Sequence, residues 1–144
     1  MNQSERRRYL IQELLNEQKE YCNYSIPEDP QGQKDLLRGL LNVRAPKILS
    51  REFLKIQDEY LKEETEKKGI TELADLTPVE QGIYLWQGDI TTLRCDAIVN
   101  AANSGMTGCY APNHKCIDNC IHTFAGAQLR YECAQMMKAQ GHEE

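Results

Sequence analysis

Two cysteines and a histidine packed within one short stretch carry the densest chemistry in this sequence. Cys109, His114 and Cys116 stand in the spacing Cys-x4-His-x-Cys, with Pro112 limiting the freedom of the segment between them. Thiolate and imidazole are the usual ligands of zinc, at about 2.3 Å for sulfur and about 2.0–2.1 Å for nitrogen. Three protein ligands leave a tetrahedral ion one open position, the catalytic arrangement, whereas a structural site has four. Cys120 and His122 are the close candidates for a fourth. The chain holds six cysteines, a number that would suit disulfides in an oxidising compartment. The start of the chain has Arg6, Arg7 and Arg8 but no apolar run after them, so no secretory leader is expected and the cytoplasm is the default. Metal then explains the clustered cysteines better. Cys22, Cys95, Cys120 and Cys133 are expected to pack as small apolar residues, and His122 to support the site from the helix face of Asp118.

A second group precedes the first. Gly88-Asp89-Ile90-Thr91 is followed by Asp96-Ala97-Ile98-Val99-Asn100-Ala101-Ala102-Asn103. A carboxylate such as Asp89 suits an exocyclic amine, and the amides of Asn100 and Asn103 can both donate and accept with sugar hydroxyls. Each piece taken alone is weak, because Gly-Asp commonly makes a turn and Asn-Ala-Ala-Asn can simply leave a strand.

The elements that must position these residues divide into two textures. Leu10, Ile11, Leu14 and Leu15 form one helical stripe, and Leu36, Leu37, Leu40 and Leu41 repeat the spacing after the turn-like Pro27–Gly32. Ser50 is a candidate N-cap for a third helix, with Phe53, Ile56, Tyr60 and Leu61 as its apolar face and its end near Gly69. These stripes predict packing surfaces. After a boundary at Pro78–Gly82 the pattern changes. Ile83–Trp86 reads as a strand entering a turn, and Ala97–Val99 as a strand buried on both faces, the two pairing in parallel within one sheet. From Ile117 the apolar spacing predicts a helix reaching about Ala139. Strand, loop, strand, loop, helix opens an α/β layered domain. The expected division is a helical extension over 1–78 and the sheet-bearing part over 79–144.

Bulk properties exclude some partners. The net charge of −5 argues against a nucleic-acid backbone, which needs a basic surface. No apolar run approaches the roughly 18–20 residues of a membrane span.

Together, the GDIT segment and the VNAAN segment resemble the signature of the macrodomain family. That resemblance implies a mixed sheet between helices and a cleft for ADP-ribose at the strand ends. It implies that Asp89 meets the adenine amino group, that Ile90 lines the same pocket, and that Asn103 lies beside the distal ribose with Asn100 near it. The Cys-x4-His-x-Cys segment directly after VNAAN resembles the zinc-containing subclass. This implies zinc on Cys109, His114 and Cys116, with Cys116, Ile117 and Asp118 also lining the cleft. The implied activity is zinc-dependent removal of ADP-ribose from mono-ADP-ribosylated protein side chains, with Asn103 in the catalytic role. A sirtuin-type ADP-ribosyltransferase is the implied partner system. An ADP-ribose-binding reader, or an inactive fragment with a structural zinc site, is the alternative. The resemblance covers roughly residues 83–144, and the glycine-rich diphosphate loop of a macrodomain has no counterpart here. The expectation is therefore a chain truncated within the macrodomain.

Overall fold

The computed structural model describes every residue except Cys22. Helices α1 (Gln3–Asn16), α2 (Pro30–Val43) and α3 (Arg51–Lys68) form the first part of the chain. Their starts are fixed locally. Asn2 and Glu5 make a reciprocal capping box on α1, Asp29 caps α2 ahead of Pro30, and Ser50 caps α3 through the Phe53 amide. Gly69, at φ 90°, ends α3 as the sequence predicts. The three apolar stripes meet in one core of Leu10, Ile11, Leu14, Leu15, Leu37, Leu40, Leu41, Phe53, Ile56, Tyr60 and Leu61. Leu36 packs on its margin.

The strands differ from expectation. Ile83–Tyr84 (β3) pairs antiparallel with Pro78–Glu80 (β2), so the boundary segment is the first arm of a hairpin that turns at Gly82, φ 75°. The parallel pair is instead β1 (Thr71–Glu72) with β4 (Leu93–Arg94), in register Thr71 to Leu93 and Glu72 to Arg94. Ala97–Val99 lies in no strand, and Val99 is 88% exposed. A continuous apolar run becomes a buried strand only when neighbours hydrogen-bond along both edges, and no described residue does so here. The α/β class stands, with five α-helices and two two-stranded sheets among the described residues.

The helix expected from Ile117 is two: α4 (Ile117–Ala125) and α5 (Ala127–Gln140). Gly126 breaks it at φ 89°, a conformation that favours glycine, and a Cβ there would lie 2.5 Å from both the Gln57 and Gln128 side chains. Gln57, fully buried on α3, accepts from the Ala127 amide at 2.9 Å and so fastens the break to the helical core. No helix is long and apolar enough to cross a membrane among the described residues.

Tyr60 reports on that core. Burial, and then the charge of Glu64, push its phenol up to about 12 from an ordinary 10.0, against the opposing pull of Arg7. A raised folded value means stability is complete below pH 10 and is lost as pH rises towards 12, by about 2–3 kcal/mol. Denaturant midpoints across that window should fall more steeply for the parent than for Tyr60→Phe; parallel profiles would contradict the burial argument.

Candidate functional site

The loop that carries the ligand trio is shaped by backbone that few residues tolerate. Gly108 has φ 85°, and a Cβ on it would stand 2.7 Å from the His122 ring. Asn113 has φ 56°, a left-handed conformation that asparagine accepts more readily than most residues. The His114 amide donates to the Ala111 carbonyl at 3.2 Å, closing the turn around Pro112. The result brings Cys109, His114 and Cys116 together, with their ligand atoms all within 4.8 Å of one another. Cys109 Sγ lies 3.7 Å from His114 Nδ1. Tetrahedral zinc bonds would separate such ligands by about 3.5–3.8 Å, so the donor set fits the ion in number and type, and the Cys109–His114 pair fits it in spacing. Neither Cys120 nor His122 belongs to the group.

Cys116 also caps α4, its sulfur accepting from the Asn119 amide at 3.4 Å. A helix N-terminus carries partial positive charge, which suits an anionic ligand there. Asn119 is fully buried and spends its side chain on the loop, donating to the Ala111 carbonyl at 3.0 Å. Cys133 is buried and Cys120 half-buried, as expected for packing residues. Cys95 is exposed, contrary to expectation, because it follows the two-residue strand β4 at the surface. Cys22 lies outside the described residues.

The asparagines bracket the same region. Asn103 donates to the Gly108 carbonyl at 3.1 Å and accepts from the Gly105 amide at 3.1 Å, which braces the approach to Cys109. Asn100 donates to Asp118 at 2.7 Å. Asp118 in turn faces His122 Nε2 at 3.6 Å, and both side chains are buried. Burial holds His122 below the usual histidine range, with Arg130 adding to the effect and Asp118 opposing it. Asn100 Oδ1 and His122 Nδ1 are buried without a hydrogen-bond partner, so this network ends in one unpaired polar atom on each side. Ile117 stands exposed in the first turn of α4.

Asp89 and Ile90 lie towards the other end of α4. Asp89 caps a short 3-10 turn over Ile90–Thr92 by accepting from the Thr91 amide and hydroxyl, and it pairs with Lys68 at 3.0 Å. Burial pushes its carboxyl up, but the bonds from Thr91 and Lys68 outweigh that and hold it below the usual range. A groove of about 280 Å³ runs beside Ile90, walled by Ile98, Ile121 and Phe124. The groove meets α4 at Ile121, Phe124 and Ala125, whereas the Cys109–Cys116 loop leads into its first turn.

Sequence alone does not point to Arg38, Asn42, Asn119 or Arg130, which hold the loop from behind. Asn119 adjoins Asp118 and shares its buried helix face, a weak signal; the other three read as ordinary polar helix positions.

Residues 99–144 match the family model described as Macro domain. The match places residues 99–144 in the macrodomain family. It is 60% identical to a protein-ADP-ribose hydrolase of Treponema medium over 148 aligned residues, taking in 100% of this chain and 57% of the relative. A protein-ADP-ribose hydrolase of Staphylococcus aureus (strain MRSA252) is 44% identical over 94% of this chain and 51% of its own. A probable bifunctional ADP-ribose hydrolase/ADP-ribosyltransferase of Fusarium oxysporum f. sp. cubense is 44% identical over 75% of this chain and 20% of its own. The chain thus spans about half the length of the two protein-ADP-ribose hydrolases.

In this macrodomain the turn at Gly108 is a point of strain for any side chain. Gly108→Ala should destabilise the protein by about 1–3 kcal/mol, through both the positive φ and the clash with His122. A denaturant midpoint equal to that of the parent would show that the loop relaxes freely.

Proposed function

We propose that the protein removes ADP-ribose from mono-ADP-ribosylated protein side chains, using zinc held by Cys109, His114 and Cys116. The observation that carries this reading is the convergence of the three ligands on the loop that follows Asn103, within reach of one ion. The names of the Treponema and Staphylococcus relatives supply the reaction class. Cytoplasmic location suits the thiolates, which stay reduced there. The fungal relative's name pairs a hydrolase with a transferase in one chain, which supports a partner ADP-ribosyltransferase, of sirtuin type in our reading. We also divide the chain at about residue 78, assigning 1–78 as the helical extension and 79–144 to the macrodomain.

Hydrolysis adds water across the bond between the ribose C1″ and the acceptor side chain. The water oxygen bonds to C1″, and the acceptor atom leaves with the electron pair and takes a proton. Cleavage at an anomeric carbon passes through an oxocarbenium-like state, so holding the sugar in place is the larger part of the task. Zinc held by Cys109, His114 and Cys116 would supply Lewis-acid chemistry to the reaction. Asn103 orients that ribose: one amide hydrogen and one lone pair remain after its bonds to Gly108 and Gly105. The unsatisfied Asn100 Oδ1 offers an acceptor to a hydroxyl or water, and Asp118 holds Asn100 in position. Asp89 meets the adenine amine with the one Oδ2 lone pair left free by Thr91 and Lys68. Ile90 lines the adenine groove, and Cys116 and Ile117 border the ribose end.

Purified protein should carry close to one zinc per chain, removable by a chelator. Cys109→Ala, His114→Ala and Cys116→Ala should each lose most of it, because one ligand in three is gone. Full zinc content in all three would remove the assignment. In the whole protein, release of ADP-ribose from a modified target should require zinc. Asp89→Ala should chiefly weaken binding in calorimetry with ADP-ribose. Asn103→Ala should chiefly lower turnover, by about 10²-fold if positioning dominates. Cleavage unaffected by metal removal would take zinc out of the mechanism, and tight binding without cleavage would leave a reader.

A further inference from the structure

The metal loop hangs from helix α2 of the preceding helical segment, by three separate tethers. Arg38 donates to the His114 carbonyl at 2.8 Å, the backbone of a ligand residue. Asn42, 1% exposed, accepts from the Asn113 amide at 3.0 Å, one residue before that ligand. Arg130 bridges the two parts, donating to the Cys109 and Thr107 carbonyls at 3.2 and 2.7 Å and to the Leu41, Asn42 and Arg44 carbonyls at the end of α2. The remaining ligand is tied in more indirectly. Cys116 Sγ accepts from the amide of Asn119, whose Oδ1 accepts from Arg38 at 2.9 Å.

Each ligand is therefore referred to the same helix, although α2 offers no ligand of its own. Metal sites gain affinity when groups behind the ligands fix their geometry beforehand, and removing such a group typically costs about 10–100-fold. We propose that α2 is a working part of the metal centre, with Arg38 its principal positioning residue: its guanidinium donates to both the His114 carbonyl and the Asn119 side-chain oxygen and sets the spacing of His114 against Cys116. The proposal rests on the zinc reading above. It makes the helical segment a determinant of metal affinity, beyond its share in the hydrophobic core.

Zinc competition against a chromogenic chelator tests this on Arg38→Met and Arg38→Lys. Met keeps the apolar stem and loses every donor; Lys keeps the charge and one donor group but loses the fork. Arg38→Met should bind zinc about 10–100-fold more weakly, with metal-free helicity and melting temperature close to the parent, and Arg38→Lys should recover part of the loss. Cobalt substitution should give the parent a tetrahedral thiolate spectrum that weakens or shifts in Arg38→Met. Should Arg38→Met not fold, Arg38→Lys decides by the same measurements, a loss of affinity supporting the role and parental affinity overturning it. Parental affinity and spectrum in both variants, with Cys116→Ala still abolishing binding, would overturn the positioning role and leave the zinc site standing. A parent that binds no zinc would overturn both.

Discussion

A guanidinium buried in protein must find acceptors in the right plane, and Arg130 finds five carbonyls. It is 5% exposed, and its donors reach Leu41, Asn42 and Arg44 on one side and Thr107 and Cys109 on the other. Tyr110 lies against its face at 4.1 Å. The carbonyls at the end of α2 have no partners within their helix, and those of the metal loop have none in a sheet. One side chain satisfies both sets. Without that charge the two groups of carbonyls would face each other unsatisfied, at a cost of about 1–3 kcal/mol for each buried one. The loop could then not lie where it does.

The surroundings of Arg130 show the same economy. Asn42 donates to Thr123 while accepting from Asn113, and Thr123 donates back to the Asn119 carbonyl at 2.7 Å. Asn119 reaches forward to the loop and back to Arg38. Such a network specifies one arrangement because a shift in any member strands a buried polar atom elsewhere. Two atoms, Asn100 Oδ1 and His122 Nδ1, stand outside this balance. They lie on either side of Asp118, in the part of the molecule where a bound ligand would have work to do.

What could be read from the sequence follows from how local each feature is. Helices α1, α2 and α3 were legible because stripe and cap lie within a single stretch, as with Ser50 and Phe53. The ligand trio was legible for the same reason: its loop is contiguous. The strands were not. Thr71–Glu72 and Leu93–Arg94 are two-residue segments about twenty residues apart, with no alternation long enough to show. Ala97–Val99 had the composition of a buried strand, but composition supplies no neighbour. Gly126 was visible as a glycine, yet its break depends on Gln57, about 70 residues earlier. Arg38 and Arg130 were hidden for a related reason. A long charged residue on a helix is normally solvated, and only the fold reveals that these two turn inward to distant carbonyls.

The helical segment touches both ends of the candidate site by different chemistry, and this constrains how the site can move. At the Cys109–Cys116 loop α2 acts through short hydrogen bonds to backbone, from Arg38 to His114 and from Asn113 to Asn42. At the groove end α3 acts through Lys68, whose ammonium lies 3.0 Å from Asp89 and 3.2 Å from the centre of the Phe124 ring. That contact is partly exposed and made by a flexible stem, so it is the softer of the two. Phe124 also walls the groove beside Ile90, so Lys68 touches both the Asp89 carboxylate and a wall of that groove. A ligand entering there competes with a single surface ion pair, at a cost of order 1 kcal/mol or less. One arriving at the loop meets a frame already fixed by Arg38, Asn42 and Arg130. Under the proposed function, the rigid end is where geometry would decide the reaction, and the yielding end is where the ligand would only be held.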